Sequence, residues 1–147
     1  MTKVPHRMPG SSAVAAVAVI GKQNNPLFLQ HFTDADELKF HYIVHTSLDI
    51  VEERASRGST ADDMFLGLLC PIEDYRVYGF ITNTQVKLIV VLEEVAVAVR
   101  EAEVKIFMER FHRLYVDTMS NPFVEIGAKI TSKQFKAGLQ QLLSQGR

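Results

Sequence analysis

The sequence predicts an α+β domain, with one five-stranded, mainly antiparallel sheet carrying a helix on one face and two on the other, in the order ββαβββαα. Three observations carry this expectation. Ala13 to Gly21 and Val86 to Leu92 are apolar without strict alternation, as strands covered on both faces are. Three other stretches repeat apolar residues at helical spacing. Consecutive strand segments are separated by links of hairpin length, so neighbouring strands should run antiparallel.

Residues 1–11 form the expected leader, because Met1 to Gly10 holds Pro5, Pro9, Gly10 and three basic residues without periodicity. A single domain should then occupy residues 12–147. The first strand, Ala13 to Gly21, and the second, Leu27 to Phe32, flank the turn-forming cluster Gln23-Asn24-Asn25-Pro26. Thr33 and Asp34 precede Asp36 and Glu37 at capping-box spacing, which opens a helix from Glu37 to Glu53, and Arg57-Gly58-Ser59-Thr60 ends it.

Met64 to Cys70, Arg76 to Thr82 and Val86 to Leu92 follow as a meander broken at Pro71-Ile72-Glu73-Asp74 and Asn83-Thr84. Val104, Phe107, Met108, Phe111, Leu114 and Tyr115 mark a helix over about Arg100 to Met119 that Asn121-Pro122 closes. A last helix covers Ser132 to Leu143, with Phe135, Leu139, Leu142 and Leu143 inward. The first and fifth strands should lie inside the sheet.

The helix from Glu37 to Glu53 is apolar over more of its circumference than burial on one side requires. Phe40, Ile43, Val44, Leu48 and Val51 share the flank that meets a core, whereas Leu38 and Tyr42 fall well off it. His41, His45 and Asp49 follow a spacing of four, forming a row with Glu52 as neighbour. Ile106 and Val116 on the second helix also lie outside the main stripe, suggesting surfaces meant to be covered.

With 147 residues, 47% hydrophobic and 22% charged, the chain suits one core. A net charge of −1 and a pI near 6.5 provide no basic field for a phosphate backbone, which argues against nucleic acid as a partner. Cys70 is the only cysteine, so no internal disulfide forms and a reducing compartment is the simpler expectation. The apolar run Ala13 to Ile20 is too short to span a bilayer. A signal segment over Met1 to Ile20 is the alternative to a leader, although Gly21 to Asn24 offers no small-residue cleavage site.

Two histidines one turn apart, with Asp49 beyond them, could converge on a metal ion. The HExxH glutamate is absent and no other His or Cys returns at an obvious spacing, so the competing reading is a row that bonds locally or meets a partner. Asp49 could equally be a solvated charge countered by Arg54 or His45. Cys70, expected in an apolar strand before Pro71, lacks the electropositive surroundings of a nucleophile.

GxGxxG, GxxxxGK[ST] and GxSxG are all absent. Asp62-Asp63 and Glu93-Glu94 read as solvated pairs, because adjacent side chains on a strand point apart. Asn121-Pro122-Phe123 matches a short signal read by certain endocytic adaptor domains, and serves equally as a helix stop with a packed aromatic.

NPLFLQHF, ELKFHYIVHTSLDIVEE, FLGLLCPIEDYRVYGFITNTQVKLIVVLEE and FHRLYVDTMSNPF together resemble the sedlin family of transport-protein-particle (TRAPP) subunits, over roughly Val14 to Leu143. Val95 to Val99 is more apolar than the family pattern. The resemblance implies a longin-like, or SNARE-like, fold and a non-enzymatic subunit without cofactor in a tethering complex that serves endoplasmic reticulum-to-Golgi and Golgi traffic. It implies other TRAPP subunits as partners, and a Rab-type GTPase only indirectly, since nucleotide exchange belongs to the assembly. The implied location is the cytoplasm, peripheral to endoplasmic reticulum and Golgi membranes through the complex.

The aspartate of SLDIVEE, Asp49 here, matches a position the family uses in partner contact. Leu38 and Tyr42 would supply apolar area beside it, and His45 with Asp49 would orient the partner. Another longin-type module, such as a coat-adaptor small chain, is the first alternative. A SNARE would need a following heptad-patterned helix and a membrane anchor. A small metal- or ligand-binding domain using His41, His45 and Asp49 is the other.

Overall fold

The computed structural model describes residues 14–32, 37–56, 64–72, 75–93, 101–123 and 129–145. Its elements are β1 (Val14–Ile20), β2 (Pro26–His31), α1 (Glu37–Ser56), β3 (Phe65–Ile72), β4 (Tyr75–Ile81), β5 (Lys87–Glu93), α2 (Glu101–Met119) and α3 (Lys133–Gln145). All the strand pairings are antiparallel, in the order β2-β1-β5-β4-β3. β5 is therefore central, with β1 and β4 on either side, so the first and fifth strands lie inside the sheet as their apolar runs predict.

Strand alternation sorts the apolar residues into two cores. Ala15, Ala16 and Ala18 of β1 face α1 together with Ile89 and Val91 of β5, and their short side chains leave room for Phe40, Ile43, Val44, Leu48 and Val51. All five helix residues are buried, as the spacing predicts. The opposite face presents Val17, Val19, Leu88 and Val90 to α2 and α3. There Phe28 meets Phe135 edge-on at 4.9 Å, and Phe111 lies 6.1 Å from the same ring.

The helix ends explain their own positions. Ser132 Oγ accepts the Phe135 amide at 3.2 Å, an N-cap that starts α3. Just before it, the Ile130 amide donates to the Leu27 carbonyl at 2.8 Å and pins the approach to α3 against β2. α1 continues past Glu53 to Ser56, and Arg54 in its last turn donates to the Leu66 carbonyl at 2.9 Å. That bond fastens the helix to an edge strand.

β3 also departs from expectation by running through Pro71 and Ile72, which pair with Arg76 and Tyr75. Proline lacks only a donor, and an edge strand can spare one. Gly67, at φ 80°, sits at one of the two register shifts of this strand. The leader, the capping residues Thr33, Asp34 and Asp36, the stop at 57–60, Asp62-Asp63, Glu73-Asp74, Glu94 and Val95 to Val99 lie outside the described residues.

Candidate functional site

Opposite the buried stripe of α1, Leu38, Tyr42, His45 and Asp49 fall within an arc of about 60°, given about 100° of turn per residue. The four predicted partner residues thus share one outward stripe. Leu38 is 71% exposed and Tyr42 66%, with His45 and Asp49 also exposed. Ser47, on the inward side, is fully buried and donates to the Val44 carbonyl at 2.8 Å, so it disturbs neither face.

The base of this stripe is held firmly. Phe40 stacks on His31 at 5.9 Å and meets Tyr75 edge-on at 5.5 Å, while Lys39 Nζ lies 5.2 Å from the Tyr75 ring centre. His41 does not extend the stripe. Its Nε2 turns back to Glu37 Oε2 at 3.6 Å, on the flank of the helix. Among the described residues, no group of three or more His, Cys, Asp or Glu is placed to hold a metal.

Arg54, considered as a counter-charge for Asp49, is instead committed to the Leu66 carbonyl. Its charge also reaches Cys70, so the thiol is not without electropositive influence, contrary to expectation. Burial nevertheless raises the Cys70 pKa above its ordinary 9.0, the guanidinium offsetting only part, and the half-buried thiol stays protonated at neutral pH.

The C-terminal half of α1 meets the β1–β2 turn through a polar cluster the sequence does not reveal. Asn24 Nδ2 donates to Glu52 Oε2, and Asn24 Oδ1 accepts from Lys87 Nζ at 2.7 Å. Lys87 is only 4% exposed, and a longer bond of 3.4 Å reaches the Lys22 carbonyl. Burial lowers its pKa from the ordinary 10.5, with the Glu52 carboxylate opposing. The available hint was a lone lysine in the apolar run VKLIVVL.

On the other face of the sheet, a cavity of about 670 Å³ opens between the β1–β2 turn, the β4–β5 turn and the C-terminal half of α2. His112 lies in its wall, 5.3 Å from the Phe80 ring, and burial lowers the imidazole pKa below 6.5. Beyond the end of α2, Asn121 Oδ1 accepts the Phe123 amide at 3.0 Å and closes a tight turn. Phe123 is 94% exposed, which overturns its expected role as a packed aromatic.

The antiparallel sheet with one helix against two is a longin-like fold. The chain belongs to the Sedlin family, whose sequence model matches residues 19–145. It is similar to the trafficking protein particle complex subunit 2-like protein of Dictyostelium discoideum, at 46% identity over 83% of this chain and 90% of that one. The protein of the same name from Bos taurus is 41% identical over 88% of this chain and 96% of its own.

A chain in a homology model of the full-length AP-3 complex in a stretched open conformation has the same fold, with TM-score 0.52 and 10% identity over 88% of this chain and 90% of that chain. No helix among the described residues is long and apolar enough to cross a membrane.

Proposed function

We propose that this chain is a non-catalytic adaptor and assembly subunit of a TRAPP complex, docking its neighbours through the outer stripe of α1. The Sedlin family match and the relatives named for the trafficking protein particle complex support the class of role. In this reading the chain works in endoplasmic reticulum-to-Golgi and Golgi transport, in the cytoplasm and at membrane surfaces reached through the assembly. A Rab-type GTPase is served indirectly, by the whole complex.

One observation carries the docking site: Leu38 and Tyr42 are largely exposed on a helix whose opposite side is fully packed. Neither side chain serves the core. Covering an apolar side chain of this size contributes about 1.5–3 kcal/mol, enough for an anchor. His45 and Asp49 lie on the same stripe, where polar pairing fixes orientation more than it adds affinity.

Asp49→Tyr tests the assignment, because Asp49 is exposed and supports no packing. Co-precipitation of neighbouring TRAPP subunits is expected to fall while the melting temperature holds. Unchanged co-precipitation would remove the stripe from the interface.

A further inference from the structure

We propose that the cavity on the α2 side of the sheet is a second docking site, taking an apolar side chain from a partner polypeptide segment whose adjacent residues are acidic. This site is separate from the α1 stripe and stands whether or not that stripe docks a subunit. Together the two would let one small domain bridge neighbours on opposite faces of its sheet.

The cavity's size and lining favour an apolar anchor. About 670 Å³ falls within the range of about 300–1,000 Å³ typical of built binding pockets. Leu27, Val86 and Tyr115 supply buried apolar wall, and the half-buried Met64 and Met119 add side chains that adapt to different shapes. Three of the polar neighbours make little demand on an occupant. Thr82 and Thr84 share a 3.0 Å hydroxyl bond, Thr82 Oγ1 also accepts the Val86 amide at 3.1 Å, and Ser120 Oγ donates to the Val116 carbonyl at 2.9 Å.

The surroundings favour a polypeptide over a small molecule. Val116 at the wall is 44% exposed, and Phe123, just beyond the end of α2, is 94% exposed. An occupant confined to the cavity would leave this apolar surface wet. The turns that frame the mouth are already fixed. Thr82 and Val86 join by a 2.9 Å backbone bond around Gln85 at φ 71°, and Gly21 donates to the Asn25 carbonyl at 2.7 Å around Asn24 at φ 64°. A preformed wall lowers the ordering cost of binding.

Charge selects the flanks of the segment. Among the described lining residues, Lys22 is the one that carries a positive charge at neutral pH, and none is a carboxylate. Lys22 is exposed on the turn, where it can face an acidic residue beside the anchor.

The test pans the full-length chain against a displayed random peptide library, then titrates the most enriched peptide, synthesised with a fluorophore, by anisotropy. Enriched sequences are expected to place Asp or Glu beside an aliphatic or aromatic residue. Lys22→Glu and Val116→Glu should each weaken binding about tenfold without lowering the melting temperature, and Asp49→Tyr should leave it unchanged. If Val116→Glu fails to fold, Lys22→Glu on the exposed turn still decides.

Reversing the acidic residues of the peptide to lysine should restore affinity for Lys22→Glu. Enrichment of basic peptides, or no enrichment beyond that seen with Ser120→Trp across the mouth, overturns the proposal. Native mass spectrometry showing a retained amphiphile would assign the cavity to a small molecule instead. Sedimentation showing self-association lost in Val116→Glu would assign it to a second copy. Loss of peptide binding in Asp49→Tyr would move the peptide to α1 and overturn the cavity without touching the subunit-docking reading.

Discussion

Lys87 Nζ donates to Asn24 Oδ1 at 2.7 Å across 63 positions of sequence, joining the start of β5 to the turn between β1 and β2. Asn24 also holds Glu52 of α1, so one amide links three elements through both of its polar ends. Its φ of 64° is a left-handed conformation that asparagine tolerates better than most residues.

Lys87→Met should therefore cost about 1–3 kcal/mol, the range for leaving a charged or buried hydrogen-bond partner unpaired. Asn24→Gly should lose the bonds to Lys87 and Glu52 while keeping the turn, and Asn24→Ala should cost roughly 1 kcal/mol more through backbone strain. Urea unfolding of the three variants gives the order. A double variant, Lys87→Met with Asn24→Gly, should be milder than the sum of its parts.

Gly79 faces Leu69 across the β3–β4 pair, where an added Cβ would lie 2.7 Å from Leu69 Cδ1. Gly79→Ala must therefore push the leucine out of its seat, at a cost of about 1–3 kcal/mol. Shortening the neighbour with Leu69→Val should recover part of that loss in the double variant. Additive melting temperatures would show that the two side chains do not compete for the same space.

The two sides of α1 should respond oppositely to truncation. Phe40 is fully buried between His31 and Tyr75, so Phe40→Ala is expected to destabilise by about 3–5 kcal/mol. Leu38→Ser, on the exposed stripe, should stay within about 0.5 kcal/mol of the parent. Denaturant midpoints measure both, and the binding of TRAPP subunits should fall in Leu38→Ser despite its intact fold.

His112 gives the domain an acid sensitivity with a defined sign. Burial holds its folded-state pKa below 6.5, so as pH falls the unfolded chain takes up a proton before the folded one does. Stability contributed by the neutral imidazole is lost below about pH 6.5 and stops falling once the folded histidine is itself protonated. Urea midpoints for His112→Gln should show a shallower loss than the parent as pH falls below about 6.5.

Much of the fold was legible because burial and element period coincide. The stripe Phe40, Ile43, Val44, Leu48 and Val51 repeats at helical spacing and is buried in full. Asn24 and Gln85, both at positive φ, lie in two of the short turns expected between strands. Pro71 misled because strand periodicity says nothing of whether a strand lies at an edge, where a missing donor is harmless. Phe123 misled because its neighbour Asn121 captures its amide and turns the ring outward.

Local period sets the element order and the inward face of each helix, whereas the partner role of Leu38, Tyr42, His45 and Asp49 was drawn from the family resemblance. Tertiary structure alone decided that β5 returns between β1 and β4, that Lys87 is buried against Asn24, and that two distant turns enclose a cavity with α2. Those depend on contacts between segments far apart in the chain. No periodicity within one segment encodes which distant segment will complete its hydrogen bonds or wall off its apolar surface.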